Sequence, residues 1–332
     1  MDIRNRKELK RFSAERLENA RDSKKIALIY AAVVIGLSAL SAIVGYVLER
    51  QIDQSGGLSN IGTRSVLSAL QTMLPMIQTV VLMCLELGYL AAMLRIARGQ
   101  YASPRTLKLG FDRFWVLLRY TLIKNILFMG LGVASIYVGI MIYMLTPLSD
   151  PVMEILVPLV SQTTMMDPNV VIPDAVYGQL MDSMKPVFLI CGVIYCLAVV
   201  PLMYRLRMAD YVIIDKPAMG AMAAMRESRK MMRGNCKNLF RLDLSMWWFF
   251  AVQLGASIVC YGDMILPVLG VELPFSADVN FFLFYVLYWI LEFLIYYLLR
   301  NRVEVAYGLA YDAIRPEEKQ TGGVVLGNIF QM

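Results

Sequence analysis

Six apolar stretches, each of roughly 20 residues or more, constrain this chain more than any other feature. Each is long enough to cross a hydrocarbon core of about 30 Å as a helix. They run from Ile26 to Leu48, Val66 to Leu94, Leu122 to Leu145, Val187 to Tyr204, Leu242 to Tyr261 and Val279 to Leu299. Of the 332 residues 58% are hydrophobic and only 17% charged. A soluble domain holds about 45–50% and about 25% respectively, so two soluble domains are excluded in favour of a multi-pass, all-α integral membrane protein. The second stretch is overlong, and Pro75 inside it predicts a tilt or kink.

Lysine and arginine sort by loop. Residues 1–25 hold nine, 95–124 seven, 205–241 nine and 300–332 four, so alternate segments carry 29 of the 32 basic residues. The intervening loops carry only Arg50, Arg64 and Lys185. Basic loops stay on the cytoplasmic side, which predicts six spans with both termini in the cytoplasm of a bacterial plasma (inner) membrane. Acids favour the other side: Glu49, Asp53, Asp150, Glu154, Asp167, Asp174, Asp182, Asp263, Glu272 and Asp278. The net charge of +6 is therefore lipid-facing and predicts no nucleic-acid partner. The charged leader before Ile26 is 25 residues, and the apolar run exceeds the 7–15 of a signal peptide, so the expectation is a span rather than a cleaved leader.

Histidine is absent. This removes Ser-His and Cys-His nucleophilic systems and HExxH zinc sites. Of five cysteines, Cys84, Cys191, Cys196 and Cys260 fall in spans and Cys236 in a cytoplasmic loop, without a CxxC pair. No disulfide framework, metal site or cofactor is expected. Intramembrane aspartyl proteolysis needs two aspartates in spans, and the nearest match, Tyr261-Gly262-Asp263, ends a span without a partner. No GxxxxGK[ST] loop is present. No catalytic residue is assigned, and the chain reads as not an enzyme.

Three cytoplasmic segments read as amphipathic. Residues 1–25 place Ile3, Leu9, Phe12 and Leu17 among charges, as a surface helix would. Residues 99–121 offer Ser103 as a cap, Pro104 at the first helical position, and Leu107, Phe111, Phe114 and Trp115 as an apolar side. In residues 205–241, Asp215 and Pro217 start a helix that Gly234 ends. Arg226, Lys230, Arg233 and Lys237, with Arg229 beside them, line one side, and Met219, Met222 and Met225 the other. That basic set is the candidate surface for anionic lipid or a partner helix, set against an ordinary interfacial cuff. Outside, the 146–186 loop is proline-rich and acidic, and Val152–Val160 is too short to cross. Residues 316–332 are expected to be a disordered tail following a single six-span domain over 26–315.

Two acids lie within spans. Glu86 is nine residues before Arg95 and Glu292 eight before Arg300, which places both roughly 12–14 Å in from the cytoplasmic edge. An intramembrane carboxylate is a candidate functional residue, and a Glu86–Glu292 layer is the candidate proton or cation site. The alternative is that each is neutral and hydrogen-bonded, or reaches Lys124, Arg205 or Arg207.

Three stretches, the N-terminal RKELKRFSAERL, Gly88–Trp115 and Tyr204–Trp248, resemble the bacterial multi-pass membrane family catalogued as domain of unknown function 975. Its pattern falls here on Ala97-Arg98-Gly99, Gly110-Phe111, Asp215, Pro217, Gly220, Ala221, Ser228, Met232, Gly234, Leu239, Phe240, Leu242, Asp243, Leu244 and Ser245. The resemblance implies a fold and no activity, and neither Glu86 nor Glu292 belongs to the pattern. The functional expectation is a membrane-complex or envelope-maintenance component that binds anionic lipid, a protein partner or a second copy of itself. The runner-up is a proton- or cation-coupled transporter or lipid permease built on the two glutamates.

Overall fold

The computed structural model describes residues 5–54, 61–163, 174–268 and 273–315, and every regular element among them is helical. Five helical runs are long and apolar enough to cross a membrane: Ser23–Ile52, Gly62–Ala97, Phe114–Met144, Ser183–Asp215 and Asp278–Ile314. A sixth arises if the bent pair Cys236–Ser245 and Trp247–Cys260 counts as one span. Ile3, Asp167, Glu272 and the 316–332 tail lie outside the described residues.

The helices group into two compact units, Tyr120–Arg205 and the residues on either side of it. The flanking unit holds α1 (Arg6–Asn19), α2 (Ser23–Gln54), α3 (Ile61–Ala97), α4 (Leu109–Asp112) and the first turns of α5 (Phe114–Met144). The inserted unit takes the rest of α5, then α6 (Asp150–Thr163) and α7 (Asp174–Leu206). The flanking unit resumes with α8 (Ala209–Asp215), α9 (Ala221–Met232), α10 (Cys236–Ser245), α11 (Trp247–Cys260), α12 (Gly262–Val268), α13 (Ala277–Leu294) and α14 (Asn301–Ile314). A π-helical turn, Ile295–Arg300, joins the last two without a break in the chain's path.

The flanking unit is built on α3, whose last four turns are buried almost all round. Ile26, Tyr30 and Val34 of α2, Leu85, Tyr89 and Met93 of α3, Leu107 and Val305 of α14 form one cluster. The small residues Gly88, Ala91 and Ala92 let other backbone come close. A Cβ at Gly88 would overlap the Leu107 carbonyl, and one at Gly110 would overlap the Cys84 carbonyl. The short 3-10 turn Pro104–Lys108 and α4 thus lie directly on α3, backbone to backbone. Residues 99–121 therefore form no single surface helix: Leu107 faces the core, while Phe111 and Trp115 are exposed.

Four elements differ from the sequence reading. First, α14 is a core helix, whereas the last expected span ended at Leu299 and no element was assigned after it. Val303, Ala306, Tyr307, Ala310 and Tyr311 are all buried, at a spacing of three and four that gives one helical face. Second, α1 is docked rather than floating: Leu9 and Ser13 are buried, and Lys10 donates to the Ser245 carbonyl at the end of α10. Third, the stretch from Leu242 to Tyr261 is not one straight helix, because α10 and α11 meet at Met246 with a bend of 67°. Asp243, buried one turn before the break, accepts from Tyr307 of α14 at 2.7 Å and so ties the end of α10 to the core. Fourth, Asp215 closes α8 instead of starting the next helix, which begins at Ala221 after Gly220. Lys237 consequently sits on α10, across a turn at Gly234 whose φ is +87°.

Helix α3 runs unbroken through Pro75, and the Thr79 hydroxyl donates to the Pro75 carbonyl at 2.7 Å. In the inserted unit, α7 starts at Asp174 and passes through Pro186 and Pro201, well ahead of the Val187 expected. Its packing with α5 is tight where a Cβ on Gly139 would overlap the Cys191 thiol, and Tyr143 donates to the Ser183 carbonyl at 3.1 Å. At the opposite end of α2 from Ser23, Arg50 meets Asp278 of α13 at 2.5 Å; both are exposed, so the pair contributes less than about 1 kcal/mol.

Candidate functional site

Three groups of ionic side chains stack along the flanking unit. The first surrounds Glu86 on α3. Tyr30 of α2 donates to one carboxylate oxygen at 2.5 Å, and the Arg300 guanidinium donates to the other. Arg300 lies in the π-helical turn, and its guanidinium carbon is 5.3 Å from the Tyr30 and Tyr89 ring centroids and 5.0 Å from that of Tyr296. A buried guanidinium is costly unless paired, and here two carboxylates and three aromatic faces compensate it. Glu304 stands 3.6 Å from Arg300 and accepts from Tyr211 of α8 at 3.3 Å. Tyr89 closes the group by donating to Asn301 at 2.6 Å.

Glu292 does not pair with Glu86. It is 4% exposed and accepts from Gln253 of α11 at 2.5 Å, while its Oε2 has no hydrogen-bond partner among the described residues. The expected two-glutamate layer is therefore two separate arrangements, Glu86 with Arg300 and Glu292 with Gln253. The Tyr296 ring, one helical turn from Glu292 and 5.8 Å from Tyr30, stands between them.

The second group joins α10 to α14. Asp243 takes the Tyr307 hydroxyl and lies 3.7 Å from Arg207, whose guanidinium carbon is 4.4 Å from the Tyr307 ring centroid. The third sits at the end of α3. Arg98 donates Nε and Nη2 to Asp312 of α14 (3.0 and 2.7 Å) and Nη1 to Asp215 of α8 (2.8 Å). Asp215 also receives Arg315 at 2.7 Å and the Tyr311 hydroxyl at 3.1 Å. Partial burial alone disfavours the Arg98 charge, but its hydrogen bonds to Asp312 and Asp215 outweigh this and raise its pKa above the ordinary value. Gly99, at φ +70°, turns the chain out of α3 immediately afterwards, and Arg16 fills the space a side chain there would need. Arg98, Gly99 and Asp215 are thus one structural joint, while Pro217 takes part through its carbonyl, which accepts from Arg113. Near α1, Asp22 accepts from Tyr101 at 2.8 Å and is held below the usual carboxylate range by that bond and by Lys25.

The basic residues of the long segment after α8 are arranged differently. Arg226, Arg229, Lys230, Arg233 and Lys237 are all exposed, and none forms an ion pair among the described residues. On the opposite side of α9, Ala224, Met225, Ser228, Met231 and Met232 are buried. Met222 departs from expectation: it is exposed, four residues before Arg226 and on its side of the helix.

Arg300, Glu304, Asp312 and Tyr311 were missed by the sequence reading, which treated Arg300 as the edge of a span. The three-and-four spacing of apolar residues from Val303 to Tyr311 was the available signal. No cluster of histidine, cysteine, aspartate or glutamate suited to a metal ion occurs among the described residues.

The joint at Arg98 and the tie at Asp243 are made by residues on which the sequence resemblance rested. A family model described as a protein of unknown function (DUF975) matches residues 1–315. The chain belongs to the DUF975 family. No curated protein and no solved structure matches it. For this DUF975 chain the pattern residues Arg98, Asp215 and Asp243 each bind α14, or a partner of it, to helices far away in sequence.

Proposed function

We propose that this DUF975 protein is a non-enzymatic component of the bacterial plasma membrane, with six spans and both termini in the cytoplasm, that engages anionic lipid through its basic face. One observation carries the reading: the five basic residues from Arg226 to Lys237 are solvent-exposed with no carboxylate partner among the described residues, whereas the half-buried Arg98, Arg207 and Arg300 are each matched to one. A cationic face that the fold leaves uncompensated, with Met222 on the same side, suits a negatively charged surface, where each basic residue contributes about 1 kcal/mol. The ordered ionic groups around Glu86 and Asp243 act as bracing, in keeping with a scaffold role in a membrane complex.

The test compares the full chain in nanodiscs with and without phosphatidylglycerol, scoring the lipid annulus retained in native mass spectrometry. Changing Arg226, Arg229, Lys230 and Arg233 to Gln should strip most of the selectively retained anionic lipid. Equal retention by wild type and the four-fold variant would reject the reading.

A second reading, a proton- or cation-coupled transporter, is favoured by the unmatched Oε2 of Glu292. It requires that Glu292→Gln abolish proton-dependent flux in liposomes while Arg226→Gln leaves the flux intact.

A further inference from the structure

Glu292 stands on α13 inside an apolar span and is 4% exposed. Gln253 of α11 donates to Oε1 at 2.5 Å, and Oε2 is sealed from the surface with no hydrogen-bond partner among the described residues. No lysine or arginine pairs with it there either: Arg300, two turns along the chain, is turned to Glu86 and Glu304. The polar groups around it are neutral ones. Tyr288 and Tyr296 lie one turn before and one turn after it, and with the Cys260 thiol of α11 they are within its electrostatic reach. Two needs are therefore left open at one atom, a charge without a counter-charge and an acceptor without a donor.

We infer that Glu292, Gln253 and the phenols of Tyr288 and Tyr296 form a site for one dehydrated alkali-metal cation. A buried carboxylate is costly until something compensates it, and the possible occupants differ in what they supply. A proton on Oε2 removes the charge but leaves a buried O–H donor as unmatched as the acceptor it replaced. A monovalent cation removes the charge and fills the bare oxygen at once. Calcium takes about six to eight oxygens and magnesium keeps several waters, demands that a single sealed carboxylate does not meet. Nor is the set a cluster of acids or cysteines such as a transition metal needs. The remaining ligands are neutral oxygens of the kind that replaces an alkali ion's water. They are the two phenols and the Gln253 side-chain carbonyl, left free because the amide is the end that binds Glu292. Tyr296 rides on the π-helical turn Ile295–Arg300, a local irregularity of a type that recurs at functional sites. Glu86 is no part of the site, since Tyr30 and Arg300 take both its oxygens. The inference deepens the coupled-transporter reading and rests on it for the ion's purpose, while binding itself is measured apart from flux.

The experiment is isothermal titration of the full chain in neutral detergent and N-methylglucamine chloride, with sodium chloride and potassium chloride as separate probes. One saturable site per chain for either salt is the expected result, and the tighter of the two identifies the ion. Glu292→Gln should weaken the dissociation constant at least about tenfold, the loss of the one charged ligand. Tyr288→Phe and Tyr296→Phe keep their rings, remove one oxygen each, and should weaken it about threefold. Glu15→Gln, which removes a charge from the exposed side of α1, should leave it unchanged. Thermal unfolding without either salt shows that each variant is folded; adding the ion should raise the midpoint of the wild type and not that of Glu292→Gln. Binding that survives in Glu292→Gln would overturn the inference, as would a wild type that binds neither ion and only takes up a proton as pH falls. Intact binding without flux in liposomes would keep the site and reject the transporter reading. Proton flux through a wild type that binds neither ion would reject the site and leave that reading standing.

Discussion

Replacing Asp215 by Asn preserves the size of the side chain and removes its charge, and the structure fixes what this should cost. The carboxylate is 4% exposed and receives Arg98 at 2.8 Å, Arg315 at 2.7 Å and Tyr311 at 3.1 Å. Removing one member of a buried ion pair costs about 3–5 kcal/mol, because the partner is left desolvated and unmatched. Arg98 retains Asp312 and Arg315 reaches solvent, so the lower end, about 3 kcal/mol, applies. Asp312→Asn is the internal comparison. Its side chain is 32% exposed, and solvent screening reduces the expected loss to about 1 kcal/mol even though it makes more hydrogen bonds to Arg98. At roughly 2 °C per kcal/mol for a chain of this size, thermal unfolding followed by near-ultraviolet circular dichroism should fall by about 6 °C and about 2 °C respectively. Combining Arg98→Gln with Asp215→Asn should fall short of additivity, since the first change already removes part of what the second destroys. The reasoning fails if Asp312→Asn destabilises as much as Asp215→Asn, or if the double variant is additive.

Two further comparisons follow. Gly110→Ala should destabilise by about 3 kcal/mol or more, because the new methyl group meets the Cys84 backbone carbonyl. Gly130→Ala, a helical site with nothing within 4 Å, should be neutral or stabilising by up to about 1 kcal/mol, both read by thermal unfolding. Glu86→Gln leaves the Arg300 charge with only the more distant Glu304 and, discounted for a side chain that is 38% exposed, should cost about 1–2 kcal/mol, whereas Glu292→Gln, lacking an arginine partner, should cost less than that. Equal losses for the two glutamates, measured by denaturant titration in mixed micelles, would show that the ionic assignment is wrong.

The spans were legible because apolar composition alone decides them: α2 and α3 cover the expected stretches with added turns at both ends, α5 adds turns at its start, and α13 needs the π-helical turn after it to reach the expected end. Glu86 and Glu292 were legible as out of place, since few acids fall within apolar runs. Their partners were not, because Arg300 lies 214 residues from Glu86 and no local spacing links them. The joint of Arg98 with Asp215 was foreshadowed only by the family pattern, which named both residues without saying that they touch. The break at Met246 had no local mark, with neither proline nor glycine there. What stands beside it is a tertiary contact, the hold of Tyr307 on Asp243 one turn before the break. By contrast α14 carried an ordinary amphipathic period that a span count stopping at Arg300 passed over.

The discontinuity of the flanking unit has a consequence for how the chain is made. Helix α3 leaves the ribosome long before the residues that match its charge, since Arg300 follows Glu86 by 214 positions. At a synthesis rate of about 5–20 residues per second, that interval is roughly 10 to 40 s. Throughout it the inserted unit, contiguous in sequence, can complete itself, while the older half of the molecule waits with an acid at membrane depth and a core lacking its last helix. Tyr30 of the earlier α2 can donate to Glu86 in that time, but whatever balances its charge comes from outside the nascent chain: protons, lipid headgroups or the insertion machinery.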